Sequence, residues 1–299
     1  MPYTMRKRIH VTIISVGKES VEEKHHQHDD LFELMEFFKR KYKTTPLDMR
    51  TYVSVGTSLD ERNFRVDYEV DPSITFFDGE EGHSIHDVLE KEKRLLESTG
   101  YRHDVFFFVF LTHLDRIGNQ EVHTFNYSDK HTDELITLTN GITCLTGKPK
   151  IFLIEAQEPG LTKFAAGEAK KLPTDADRLI LKSISNQKDA WGDKFQKHLR
   201  HHCSFFVRAF ISVLDDNTDE DFLTLTTKIN GKIKKVNESH PLPLTSSTLR
   251  QLLYLDNYST KTATITPAQT SQLTTCEEWT NRSRKYRRAC IHMFYFHEN

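Results

Sequence analysis

The sequence predicts an α/β fold built on a mostly parallel sheet, for three reasons. Val105–Leu111 and Ile151–Ile154 are short, β-rich apolar runs without alternation, the pattern of strands buried on both faces. Such runs are separated by segments whose apolar residues recur at helical intervals, as Leu31, Leu34, Met35 and Phe38 do. A polar, chemistry-bearing residue follows each run, His113 after the first and Gln157 after the second, where parallel sheets place their sites.

Taken in order, Arg8–Val16 reads as the first strand. A helix follows over residues 30–41, with Asp29 or Asp30 as its N-cap. Met49–Val55 is a second strand. Residues 56–82 are acid-rich and irregular, and read as an insertion. Ser84–Ser98 is a helix with Val88, Leu89, Leu95 and Leu96 on its core side. The strand Asp104–His113 leads into a turn and hairpin at Gly118-Asn119. A helix over Thr132–Asn140 and a strand over Lys150–Glu155 complete this half. Parallel order implies right-handed βαβ crossovers.

Composition narrows the function. The chain has 299 residues and a net charge of −2, so nothing favours nucleic acid or membrane globally. No apolar stretch approaches the roughly 20 residues that span a bilayer. Ile9–Val16 is short and carries His10, which suits a strand better than a signal peptide. Cys144, Cys203, Cys276 and Cys290 show no paired spacing, so they read as thiols in a reducing, cytoplasmic setting. The run His25-His26-Gln27-His28-Asp29-Asp30 holds metal-capable types, but adjacent histidines in a helix-start loop seldom share tetrahedral geometry, and no metal or other cofactor is expected. His198, Arg200, His201 and His202 read as a solvated basic face. Arg282–Arg288 is a positive cluster that fits the rim of a protein interface.

The stretch Asp104–Gly160 resembles the caspases. In that family one strand ends in Ser-His-Gly, and a second, after Gly-Lys-Pro-Lys, ends in Gln-Ala-Cys-Arg-Gly. This chain has Gly147-Lys148-Pro149-Lys150 and keeps His113 and Ala156. It carries Leu114 for the Gly, Glu155 for the Gln, Gln157 for the Cys, Glu158 for the Arg and Pro159 for the last Gly. Further segments are similar in order. Ala176–Ser183 resembles the first small-subunit strand, Ser204–Phe210 and Asp221–Asn230 the next two helices, and Ala289–Phe296 the terminal strand. Trp191 follows Ser183 at the family's spacing for the Trp of its substrate pocket, with Gly192 where an Arg is expected.

The resemblance implies a caspase-like fold with a central, mostly parallel, six-stranded sheet flanked by helices. It divides the chain into a large-subunit-like part (1–158), a short linker (159–175) and a small-subunit-like part (176–299) with a loop insertion at about 240–285. Family activation uses cleavage after an Asp in the linker. None stands there until Asp175, so the chain is expected to stay intact.

The same comparison removes catalysis. Cysteine hydrolysis needs a thiolate nucleophile, and the amide of Gln157 does not ionise. The aspartate pocket is degraded too. Guanidinium grips carboxylate as a fork, yet Gly192 replaces an Arg and Glu155 would repel an acidic side chain. The expectation is a pseudoenzyme with a degenerate dyad, His113 and Gln157, and a degenerate pocket, Glu155, Trp191 and Gly192. It would regulate an active caspase paralogue by heterodimerisation, or pair with itself, through Ile291, Met293, Phe294, Tyr295 and Phe296 of the terminal strand, modulating apoptosis or related proteolysis. Two alternatives stand beside this. One is a peptide-binding scaffold using the old cleft, in which Glu155 and Glu158 favour a basic peptide. The other is a peptidase of altered chemistry, which needs a nucleophile that the sequence does not offer.

Overall fold

The computed structural model describes residues 8–16, 21–54, 74–77, 84–117, 120–125, 128–158, 176–186, 203–217, 219–236, 238 and 240–255. Trp191, Gly192, the linker, the basic runs near residues 200 and 285, and the five interface residues of 291–296 lie outside that set.

Among the described residues nine strands form one sheet: β1 (Arg8–Val16), β2 (Met49–Ser54), β3 (Ile74–Phe77), β4 (His103–Ile117), β5 (Gln120–Phe125), β6 (Ser128–Lys130), β7 (Lys150–Glu158), β8 (Arg178–Asn186) and β9 (Leu244–Ser247). The order is β3-β2-β1-β4-β7-β8-β9, with β5 and β6 as a hairpin off β4. Every pair from β3 to β8 is parallel, and β9 is antiparallel. The mostly parallel sheet is as expected, with more strands than six. β3 is one addition, inside the stretch expected to be irregular, where Ile74–Phe77 pairs with Thr51–Ser54. β9 is another, at the start of the expected 240–285 loop.

Among the described residues five α-helices flank the sheet: α1 (Val21–Tyr42), α2 (Ile85–Thr99), α3 (Thr132–Ile136), α4 (Phe205–Asp216) and α5 (Phe222–Val236). Side-chain alternation along the strands sorts the core into two layers. Val11, Val109, Leu153 and Leu181 face α1, α4 and α5, joining Leu31, Phe38, Phe210 and Ile229. Ile14, Phe108, Phe152 and Ile180 face the other way, onto Leu89, Leu96, Leu135 and Leu145. Phe108 and Phe152 stack across β4 and β7, with centroids 5.1 Å apart. Both are fully buried, and truncating either would cost about 3–5 kcal/mol.

Helix ends follow local chemistry. Ser84 caps α2 in a capping box with Asp87. Gly147 takes a left-handed φ of 74° in the turn before β7, a conformation glycine adopts without a Cβ clash. α1 corrects an expectation. It begins at Val21, so Asp30 lies inside the helix rather than capping it. The Asp30 carboxylate instead accepts the backbone N–H of Ser204 at 2.6 Å, and Ser204 in turn caps α4 through Val207 N–H. The cap-type residue was legible, but its partner lies 174 positions along the chain.

Candidate active site

The site is set by strand register. β4 and β7 pair so that Leu111 lies beside Glu155, Thr112 beside Ala156 and His113 beside Gln157. His113 and Gln157 therefore share one face, the α1–α4 side, by alternation from Leu111 and Leu153. Both are largely buried, at 6% and 7% exposure. The structure corrects their placement in one respect. Both strands run past them, to Ile117 and Glu158, so neither residue stands beyond a strand end. The antiparallel hairpin prolongs β4, and β8 prolongs β7 by pairing Gln157 with Ser185 and Glu158 with Asn186.

On the same face β8 adds Ser183 and Ser185, in register with Glu155 and Gln157. Ser185 donates a hydrogen bond to Glu155 Oε1 at 2.8 Å. Glu155 Oε2 and the Ser183 hydroxyl are both buried on this face without a well-formed hydrogen bond. Burial raises the Glu155 carboxyl to about 8, the negative charge of Asp30 pushes it the same way, and the Ser183 and Ser185 hydroxyls pull back more weakly. Glu155 is thus mostly a neutral acid at pH 7. It remains unable to grip a carboxylate as a guanidinium fork does.

The sequence reading missed Ser183, Ser185 and Asp30 as members of this face. The serines carried a signal, since Ser-Ile-Ser two apart at the end of an apolar run puts both hydroxyls on one side. Asp30 carried none, because its arrival depends on how α1 packs against α4.

The described thiols are Cys144 and Cys203. Cys144 sits at the opposite layer and donates to the Leu96 carbonyl at 3.2 Å. Cys203 is buried, and burial together with Asp30 drives its thiol well above the ordinary range. The Cys203 surroundings yield no thiolate at neutral pH. Among the described residues, no group of three or more His, Cys, Asp or Glu could hold a metal ion, and no helix is long and apolar enough to cross a membrane.

A family model spans most of the elements described above. The model described as "Caspase domain" matches residues 22–254. The chain belongs to the caspase-domain family. No curated protein matches it at a significant level. Among solved structures, this caspase domain is similar to one titled "structure of pro-sf-caspase-1", with a TM-score of 0.57 and 19% identity over 85% of this chain and 96% of that one. It is similar also to caspase-1 from Spodoptera frugiperda, with a TM-score of 0.57 and 18% identity over 88% and 95% of the two chains. At these identities the likeness is one of fold. The caspase-domain match ends at residue 254, just past β9.

Proposed function

We propose that this caspase domain is a cytoplasmic, non-catalytic homologue that regulates an active caspase by pairing with it along an edge of the sheet, and so modulates apoptosis or related proteolysis. The observation that carries the reading is Gln157 in register beside His113, on the face where a nucleophile would stand. A glutamine amide is no nucleophile, and the two described thiols lie elsewhere or are held protonated.

Among the described residues the sheet ends at β3 on one side and at β9 on the other, and the antiparallel bonds of β9 go to β8. Leu244 on β9 is 68% exposed, and Leu242 just before it 41%. A strand with exposed leucines at the margin of the described sheet suits pairing with a second strand. The proposed interface remains the terminal strand with Ile291, Met293, Phe294, Tyr295 and Phe296, and Leu242–Ser247, inside the caspase-domain match, is a second candidate edge.

The test mixes the purified chain with an active caspase from the same organism and follows substrate turnover alongside sedimentation. A mixed dimer with altered turnover is expected, and Phe294→Asp should lose the effect. If Leu244→Asp loses it instead, the interface lies at residues 242–247. Absence of both a mixed species and any change in turnover overturns the regulatory reading.

A further inference from the structure

The sequence contains two Asn-Gly dipeptides, Asn140-Gly141 and Asn230-Gly231. The pair is chemically labile, because a glycine after asparagine lets the next backbone nitrogen swing onto the side-chain amide carbon. The fold treats the two copies differently. Asn230-Gly231 lies inside α5, where helical bonding fixes the backbone and directs the Gly231 N–H at the preceding turn. Asn140-Gly141 is exposed, at a corner between α3 and β7. Asn140 has φ −65° and ψ 135°, and Gly141 has φ 77°, the angles of a type II turn. The turn's own bond runs from Ile142 N–H to Thr139 O at 3.4 Å, so it does not use the Gly141 N–H. Open space surrounds the place where a Gly141 Cβ would stand, which leaves the peptide room to rotate.

The amide of Asn140 is also gripped by a cation. Arg178, at the start of β8, donates from its guanidinium to Asn140 Oδ1 and, at 3.4 Å, to Thr139 Oγ1. Arg178 is 2% exposed, and its guanidinium is held 5.8 Å from the centre of the Phe152 ring. A guanidinium on the amide oxygen draws electrons from Cγ and stabilises the oxyanion that attack on Cγ creates.

We propose that Asn140 is a self-modification site, converted to a carboxylate through a succinimide that Arg178 promotes.

The step balances with water alone. The Gly141 nitrogen bonds to Asn140 Cγ and gives up its proton, and the side-chain nitrogen leaves with that proton as ammonia. Water then opens the ring, giving aspartate by attack at one carbonyl and isoaspartate by attack at the other. One water enters and one ammonia leaves, with no oxidation or reduction.

The aspartate product suits the site better than the amide. It offers the guanidinium two acceptor oxygens and a charge, where asparagine offers one neutral oxygen. Arg178 stands in register with Lys150 of β7, itself 2% exposed, so the new carboxylate faces a second basic side chain nearby. The turn lies at the N-terminal end of β7 and β8, away from the His113–Gln157 end, so its chemistry stands whether or not the domain pairs.

The experiment incubates the full chain for weeks at pH 7.4 and 37 °C in heavy-oxygen water, which labels each new carboxyl, and maps the peptides by mass spectrometry. Asn140 is expected to convert at least tenfold faster than Asn230 in the folded chain, and the ratio should fall toward one in concentrated urea. Arg178→Gln keeps a donor without the charge, and should slow Asn140 while leaving Asn230 unchanged. Asn140→Asp installs the product and should melt above the parent chain, which covers the case in which Arg178→Gln fails to fold. Equal conversion of the two asparagines in the folded chain, a ratio unchanged in urea, undiminished conversion in a folded Arg178→Gln chain, or a lower melting temperature for Asn140→Asp overturns the proposal.

Discussion

Asp177 and Arg250 form a forked ion pair where β8 begins and β9 has ended, with Arg250 Nε 2.9 Å from Asp177 Oδ1. Asp177 holds a left-handed backbone, φ 64°, and its side chain is 1% exposed. Backbone bonds from Asp177 N to Thr248 O at 3.1 Å and from Thr248 N to Arg178 O at 2.8 Å fasten the same corner. The pair pins the second candidate edge from behind. Arg250→Ala would leave a buried carboxylate without its fork, at a cost of about 1–3 kcal/mol. Hydrogen exchange should quicken in β9 and leave β4 and β7 protected. A variant with unchanged exchange in β9 would show that Arg250 has no part in holding the edge.

Glu92 gives acid sensitivity at the opposite end of the sheet. Its carboxylate accepts from Tyr52 at 2.8 Å, Thr12 at 2.8 Å, Arg50 at 2.9 Å and His10 at 3.1 Å. Burial alone would raise Glu92, but these donors, His10 foremost, bring it down to about 2. Asp48 is likewise held at about 2 against its own burial, by His103 and Thr45. A depressed carboxyl stabilises the fold above its unfolded value, and that contribution fades as pH falls through the folded one. The melting temperature should therefore drop between about pH 4.5 and pH 2. Glu92→Gln should flatten part of that slope and, by breaking a buried charged cluster, cost about 3–5 kcal/mol at pH 7. An unaltered slope in the variant would remove Glu92 from the account.

These two clusters mark what the sequence could and could not disclose. Unalternating runs such as Val105–Leu111 placed the central strands, because burial on both faces leaves a local composition signal. The His113–Gln157 pairing was legible for the same reason, since each ends such a run. Asp30, Glu92 and Arg250 were not legible as partners. Each meets a residue dozens to hundreds of positions away, and no local period encodes that meeting. β3 and β9 escaped because each strand is only four residues long. Leu244-Thr245-Ser246-Ser247 has the polar composition of a loop, and becomes a strand only because β8 offers an unpaired edge.

His123 should add a second, milder pH dependence. Its Nδ1 lies 2.8 Å from Thr112 Oγ1 and its Nε2 2.9 Å from Thr132 Oγ1, tying β5 to β4 and α3. Burial lowers it to about 3, and the positive charges of Lys182 and His131 add to that. The folded ring stays neutral while the unfolded ring takes up a proton below about 6.5, so stability falls as pH drops from there toward 3. Urea unfolding at pH 7.5 and 5.0 reads this. His123→Gln keeps polar contacts without titrating, and should lose less stability between the two conditions than the parent chain. Equal losses would place the dependence elsewhere.

Gln157→Cys separates the two parts of the proposed non-catalytic reading, nucleophile and pocket. The new thiol would share the His113 face, in register on the neighbouring strand. It should react with iodoacetamide faster than Cys203, whose buried thiol is held protonated beside Asp30. Cleavage of Asp-containing peptides should nonetheless stay at background. Glu155 occupies the recognition face as an acid near Asp30, and carboxylate recognition needs a positive fork there. Restoring one reacting group leaves transition-state binding unsupplied, and groups that act as a unit do not contribute singly. Labelling is then expected without Asp-peptide turnover. Turnover of an Asp peptide by this single variant would mean that recognition of an acidic side chain is intact, and that the proposed non-catalytic state rests on residue 157 alone.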